Sequence, residues 1–383
     1  MIDNLKIAIV CDWLTVYAGA ERVIYEMHKL FPNAPIYTTL YSAKRCPLFK
    51  DADVRESGLR FIPGARRVHR LFFPFMPGVF ERMDLSEYDI VISSSHAAAK
   101  GVITMPGTLH ISYCHSPTRY LWDQSHSYQK GFKLFSFLRI FTRPLLHRIR
   151  LWDRVAADRV DKFVSNSDYI GRRIEKYYGR KSDTIYPPVD LERFSLGGLA
   201  SSRDEGDEGR SGREYYLAVG RLIPYKRFDL MVEAFNKLKK PLKIVGTGPE
   251  MAQLKRRANK NIEFVGSVTD EELRRIYQGA KALIFPQLED FGIVPLESMA
   301  CGAPVIAYGR GGALETVKPG ISGVLFDKQD VASLVAAVRD FEKQDWDAQE
   351  VAASVEDFGA ARFKSELRHY VQEAWKEFEE VII

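Results

Sequence analysis

The 383-residue sequence has only four cysteines, Cys11, Cys46, Cys114 and Cys301, and no two stand in C-x-x-C spacing. A disulfide framework and a cysteine zinc site are therefore excluded, and a reducing cytosol is the expected compartment. Long hydrophobic runs are also missing: no segment reaches the ~18–20 apolar residues of a spanning helix. The opening stretch MIDNLKIAIVCDWL carries an apolar run too short and too early for a secretory signal. The expectation is a cytoplasmic protein, soluble or held at the cytoplasmic face of a membrane as a peripheral protein. Charge of one sign is scarce: 55 Lys and Arg stand against 50 Asp and Glu, a net +5. With so small an excess, the placement of charge matters more than its sum. No nucleic-acid recognition motif is present, so nucleic acid is not an expected partner.

At roughly 100–200 residues per domain, this length suggests two domains. LKIAIVCD (5–12) is a short apolar, β-branched run of the kind that forms a buried parallel strand. A loop with Gly19 then leads into a helix. APIYTTL (34–40), DIVISSS (89–95), TLHISYCHS (108–116), DKFVSNSD (161–168) and SDTIYPPVD (182–190) continue the strand pattern. LGGLASSRDEGDEGRSGRE (196–214) is poor in bulky apolar residues and reads as a mobile linker. The rhythm restarts with YYLAVG (215–220), LKIVGTG (242–248), IEFVG (262–266), KALIFP (281–286), APVIAYG (303–309) and GVLF (323–326). Segments 227–240, 249–260 and 270–280 between them have helical spacing, and the chain ends in a helix over 360–381. Strands alternating with helices predict an α/β protein of two Rossmann-like domains with parallel sheets facing a central cleft. The expected boundaries are 1–190 and 191–360.

One stretch of the second half stands out. PQLEDFGIVPLESMACGAPVIAYGRGG (286–312) is apolar apart from carboxylates such as Glu289 and Glu297, eight positions apart. Pro295 suits the first turn of a helix, and Gly302 with Pro304 stops it. Glu297 is then expected in the first turn. There it is either a carboxylate favoured by the helix dipole or a ligand-binding group; Glu289 is either an exposed loop acid or a binding group. VGRLIPYKRFD (219–229) puts Arg221 and Lys226 after a strand at the same edge of the same sheet. Two cations beside a helix N-terminus can neutralise a diphosphate. GTGPE (246–250) adds a glycine turn at another strand end, where backbone can approach a ligand.

The segments GRLIPYKRFDLMVEAF, IVGTGPE, FVGSVTDEELRRIYQGAKALIFPQLEDFGIVPLESMACGAPVIAYGRGGALETV and GVLF together resemble glycosyltransferase family 4. That is a family of retaining sugar-nucleotide transferases with the GT-B fold, and the resemblance covers nearly the whole chain. Glu289 and Glu297 match its E-x7-E motif. The resemblance implies that Glu289 hydrogen-bonds the donor sugar and Glu297 the nucleotide ribose. It implies that amides of Phe291, Gly292 and Ile293 meet the sugar and phosphate, and that Arg221 and Lys226 hold the leaving diphosphate. Val268 and Asp270 lie where related enzymes contact the base. YAGAER (17–22) matches the glycine-rich first loop through Gly19, with Ala18 where many members carry a second glycine. His115, in YCHSPTRYLWD, occupies the place of a histidine that contacts the donor sugar or its reacting centre. Arg119 and Asp123 are weaker candidates for acceptor contact.

That last wording resembles a subgroup acting in O-antigen and exopolysaccharide assembly, many of them mannosyltransferases. The implied donor is GDP-mannose, with UDP-sugars the nearest alternative. The implied acceptor is a lipid-linked saccharide. The resemblance also implies nucleotide-sugar binding in the second domain, acceptor binding in the first, and packing of the terminal helix (361–383) back onto the first. No cofactor is required and no metal is expected, since Arg221, Lys226 and a helix terminus can carry the charge work. A sugar-nucleotide epimerase and a catalytically silent binding subunit are the rival readings.

KGFKLFSFLRIFTRPLLHRIR (130–150) holds six Lys and Arg and no acidic residue, and RFIPGARRVHRLFFPFMPG (60–78) repeats that chemistry. Both are either amphipathic segments packed in their own domain or a contact with an anionic membrane surface.

Overall fold

The computed structural model describes residues 2–123, 138–197 and 213–382. The linker stretch 198–212 lies outside the described residues, as do 130–137 of the basic segment and the side chains of 138–143. The chain forms two compact units, Met1–Pro188 with Ala361–Ile383, and Val189–Ala360.

The first unit is built on a sheet of seven strands: β1 (Ile7–Cys11), β2 (Ile36–Thr38), β3 (Val54–Glu56), β4 (Ile90–Ser95), β5 (Leu109–Cys114), β6 (Lys162–Ser165) and β7 (Asp183–Thr184). Their spatial order is β3-β2-β1-β4-β5-β6-β7, and every pairing is parallel. All residues of β1, β4 and β5 are buried, as expected of strands covered on both faces. Val23, Ile24, Met27 and Leu30 of the helix Gly19–Leu30 share helical spacing and join one face of this core. The terminal helix Ala360–Ile382 belongs to the same unit. Its Phe363, Leu367, Val371, Ala374 and Trp375 pack with Ile9, Ile36 and Val164. Polar contacts hold its flank: Arg362 Nη2 donates to the Tyr186 carbonyl at 3.0 Å and Tyr370 Oη to Asp183 at 3.1 Å.

On the other face, Phe73, Met76, Phe80 and Ile149 form a second cluster, with Trp152 packed against it. The segments 60–78 and 138–158 therefore share a core. Residues 58–80, which carry no helical or strand period, fold as a chain of 3-10 turns followed by the short helix Met76–Phe80. Lys100 is buried beneath this face. Its ammonium meets Asp153 at 2.5 Å, and Asp153 also accepts from Thr118, Trp122 and Tyr178. A buried charge pair so fully bonded joins the loop after β4 to the helix Leu138–Asp158.

The second unit has six parallel strands: β8 (Tyr215–Val219), β9 (Leu242–Val245), β10 (Ile262–Gly266), β11 (Ala280–Phe285), β12 (Val305–Tyr308) and β13 (Gly323–Phe326). Their order is β10-β9-β8-β11-β12-β13. In each unit the strand order reverses once, between β1 and β4 and between β8 and β11. Open α/β sheets bind ligands outside the carboxyl ends of the strands at such a reversal.

Candidate functional site

In the second unit, the loops leaving β8 and β11 meet at the strand-order reversal. After β8 the chain makes a 3-10 turn at Pro224–Lys226, and Arg227 takes the left-handed conformation, φ 58°, before the helix Phe228–Leu238. Arg227 is tethered there by its own Asp229, at 3.2 Å. This local geometry aims Lys226 at the β11 loop, where its ammonium donates to Glu289 Oε1. Both side chains are about 15% exposed, an ion pair with limited access to water. Arg221 is exposed.

The β11 loop is braced by glycines the sequence reading passed over. A Cβ on Gly311 would lie 2.4 Å from the Glu289 carbonyl oxygen, and one on Gly312 2.3 Å from that of Phe291. The Gly312 N–H donates to the Glu289 carbonyl at 3.0 Å. Only glycine permits that approach. The paired GG after β12 was the available signal.

Gly292, at φ 93°, then starts the helix Ile293–Ala300. The start falls two residues before Pro295, which corrects the expected register. Glu297 is the fifth residue of the helix, not a first-turn acid. It is buried, 4% exposed, and accepts a 3.2 Å hydrogen bond from Tyr277. The helix-dipole explanation therefore loses its force. Phe291 is buried immediately before the helix.

The GTG turn also has a different reason from the one expected. A Cβ on Gly246 would lie 1.9 Å from the Gly220 carbonyl oxygen, and one on Gly248 2.3 Å from that of Leu222. The glycines let the β9 turn lie flat against the loop that carries Arg221. Val268 and Asp270 follow β10, at the sheet's edge. Asp270 pairs with Arg193 in the first turn of the helix Asp270–Gln278, so an ion pair and a helix terminus already account for it.

In the first unit, Asp12 follows β1 directly and Gly19 opens the next helix. Glu21 accepts a hydrogen bond from the Ala18 N–H at 3.0 Å. That is half a capping box, since alanine has no side-chain acceptor. Burial pushes the Glu21 carboxyl up to about 7. His115 follows β5, and its Nε2 lies 2.8 Å from Ser94 Oγ. Burial, assisted by His96, brings its pKa down to about 3, so His115 is a neutral imidazole at working pH. Asp123 is held by Arg173 at 2.8 Å. Asp12 was not singled out from sequence. It is fully enclosed and accepts from the backbone N–H groups of His96, Ala97, Ala98 and Ala99 at 2.6–3.0 Å. Among the described residues no group of His, Cys, Asp and Glu could hold a metal ion, and no helix is long and apolar enough to cross a membrane.

The family model described as Glycosyltransferase Family 4 matches residues 17–193, and that described as Glycosyl transferases group 1 matches residues 203–357. The D-inositol 3-phosphate glycosyltransferase of Mycobacterium sp. (strain KMS) is 29% identical over 195 residues, 47% of this chain and 44% of that protein. The chain thus spans less than half the length of that relative. The GDP-mannose-dependent alpha-(1-6)-phosphatidylinositol monomannoside mannosyltransferase of Mycolicibacterium smegmatis is 28% identical over 312 residues, 76% of each chain. The crystal structure of Anabaena HepE with UDP and glucose superposes with a TM-score of 0.66 at 17% identity, covering 96% of this chain and 100% of that one. At that identity the likeness is one of fold.

Three histidines set an acid limit. Burial lowers His115 and His110 to about 3 and His69 to about 4, all from 6.5. Each is neutral when folded and protonates on unfolding, so its contribution to stability is whole above pH 6.5 and is lost as pH falls toward its folded pKa. The loss is at most about 1.4 kcal/mol per pH unit for each group. Thermal unfolding midpoints should therefore fall between pH 6.5 and 4, and the His110→Gln variant should show a shallower fall than the wild type. Equal slopes in the two proteins would remove His110 from the account.

Proposed function

We propose that this chain, which belongs to the glycosyltransferases of the GT-B fold, moves a hexose from a nucleotide-sugar donor to a hydroxyl of a lipid-linked glycan, with retention at the anomeric carbon. The observation that carries this reading is the pairing of Lys226 with Glu289 at the β8/β11 reversal. A donor entering there exchanges one ion pair for two sets of contacts. Glu289 takes sugar hydroxyls, and Lys226 with Arg221 takes the diphosphate. Glycine-supported amides at Phe291, Gly292 and Ile293 meet the sugar and phosphate, and Glu297, oriented by Tyr277, takes the ribose. Val268 and Asp270 remain the candidates for the base, although Asp270 must first leave Arg193. In the first unit, which takes the acceptor, Gly19 and neutral His115 are the candidate residues.

In the transfer, an acceptor oxygen bonds to the anomeric carbon as that carbon's bond to the diphosphate oxygen breaks. The acceptor's proton passes to the departing phosphate on the same face. Arg221 and Lys226 stabilise the negative charge that develops on the leaving group, so no metal is required.

Mannose from GDP-mannose is the preferred donor. The YCHSPTRYLWD wording supports it, as does the mycobacterial relative whose name specifies that donor. A UDP-sugar is the second reading, favoured by the likeness to HepE, solved with UDP and glucose. An epimerase would consume a nucleotide sugar without any acceptor, which incubation with the donor alone reveals. Lys226→Ala and Glu289→Ala are each expected to cut transfer by at least ~100-fold, the usual worth of one oriented polar contact in a transition state. Near-normal turnover in either variant sinks the role given to that residue.

The lipid-linked acceptor implies work at the cytoplasmic face of a membrane, in cell-surface polysaccharide synthesis such as that of O-antigen. Phe61 is 73% exposed and Leu71 and Phe75 are each 66% exposed, among the exposed cations Arg60, Arg67 and Arg70. Such residues enter a lipid interface while the cations meet anionic headgroups, at ~1 kcal/mol each. Binding to phosphatidylglycerol vesicles is expected to drop at least ~10-fold when Arg67, Arg70 and Arg148 are reversed to Glu. Unchanged vesicle binding rules this contact out.

A further inference from the structure

The β1/β4 reversal of the first unit carries a group that no motif marks. His96 follows β4 directly, and its Nδ1 lies 3.1 Å from Asp12 Oδ2. Asp12 lies where no water reaches it, and the four backbone N–H groups of residues 96–99 fix it in place. A carboxylate held by four donors is an acceptor only. A lone pair on Nδ1 would face that carboxylate oxygen and be repelled, so the neutral ring carries its proton on Nδ1 and presents a lone pair at Nε2. The His96 side chain is 30% exposed. Its ring stands edge-on to Trp13, centroids 4.6 Å apart, and 6.4 Å from the ring of His115. Trp13 also packs, ring centroids 4.8 Å apart, against His69, whose Nε2 is buried and has no hydrogen-bond partner among the described residues. Its Nδ1 is taken by Thr15 at 3.0 Å.

We propose that His96 is a specificity-determining residue of the acceptor site: Asp12 locks its tautomer, and Nε2 accepts a hydrogen bond from a hydroxyl of the acceptor saccharide. This rests on the sugar-transfer reading given above. A site built to receive a hydroxyl rejects ligands that lack one, because such a ligand displaces water from Nε2 and leaves that acceptor unmet. No proton is transferred at His96. It holds and selects, while the chemistry proceeds at the anomeric carbon. The Asp12 cage explains why the loop can hold this ring so firmly: the carboxylate that orients the imidazole also binds the backbone on which it stands.

Two variants separate this role from a structural one. Asparagine keeps an amide donor near the place of Nδ1 and loses Nε2. Glutamine keeps a polar atom near the place of Nε2. Wild type, His96→Asn and His96→Gln are compared for nucleotide release from GDP-mannose and from UDP-glucose, in water alone and with octyl α-mannoside as the acceptor probe. The expected result is a water reaction within ~2-fold in His96→Asn and a probe-stimulated rate lowered at least ~10-fold through the probe's KM. His96→Gln should recover much of that loss. Equal probe-stimulated rates in His96→Asn and wild type overturn the proposal, as does a wild-type rate that the probe leaves unchanged. Consumption of neither nucleotide sugar by wild type overturns the sugar-transfer reading and this assignment with it. A readout independent of any substrate is the histidine nitrogen spectrum at neutral pH. It should show His96 protonated at Nδ1; protonation at Nε2 overturns the proposal.

Discussion

A parallel sheet whose strand order reverses leaves two neighbouring strands with their following loops turned apart, and polar side chains can stand between those loops. Each unit of this chain reverses once, and each has an oriented polar pair there. In the second unit it is Lys226 with Glu289, from the loops after β8 and β11. In the first it is Asp12 with His96, from the loops after β1 and β4. Strands that are apolar and covered on both faces cannot supply such groups from their own length, so the chemistry collects at their carboxyl ends.

The backbone around the second-unit reversal is organised to keep its loops close. Gly246 and Gly248 allow the β9 turn to lie on Gly220–Leu222, and Gly311 and Gly312 allow the β12 loop to lie on Glu289–Phe291. A side chain at any of the four would meet backbone at 1.9–2.4 Å and push apart the loops that carry Arg221 and Glu289. From sequence alone the GTG turn offers room for a ligand. Its nearer purpose is backbone packing, which fixes where the charged residues point.

The fold class was legible because short β-branched runs alternate with helical periods along nearly the whole chain. What escaped was weakly patterned. β3 is three residues, Val54–Glu56, with one apolar side chain, and the turns over 58–80 follow no 3.6 or 2.0 period. The helix carrying Glu297 began earlier than Pro295 suggested, because a left-handed Gly292 starts it. Arg221, Lys226 and Glu289 could be assigned to one sheet edge from sequence, but the Lys226–Glu289 contact depends on β8 and β11 being neighbours, and strand order leaves no trace in composition. Asp12 and His96 stand 84 residues apart, each just past the end of a strand. Nothing local marks them as a pair.

The central claim is that the β8/β11 reversal binds a nucleotide diphosphate sugar, and calorimetric and thermal titration with GDP, UDP, ADP and their common sugar conjugates tests it most directly. Ligand at 100 times its Kd adds about 2.7 kcal/mol to stability, a shift well within reach of either method. The account predicts binding and stabilisation by GDP and GDP-mannose. Stabilisation by uridine compounds alone would keep the site and overturn the donor. Absence of binding by every nucleotide and nucleotide sugar would contradict the claim itself.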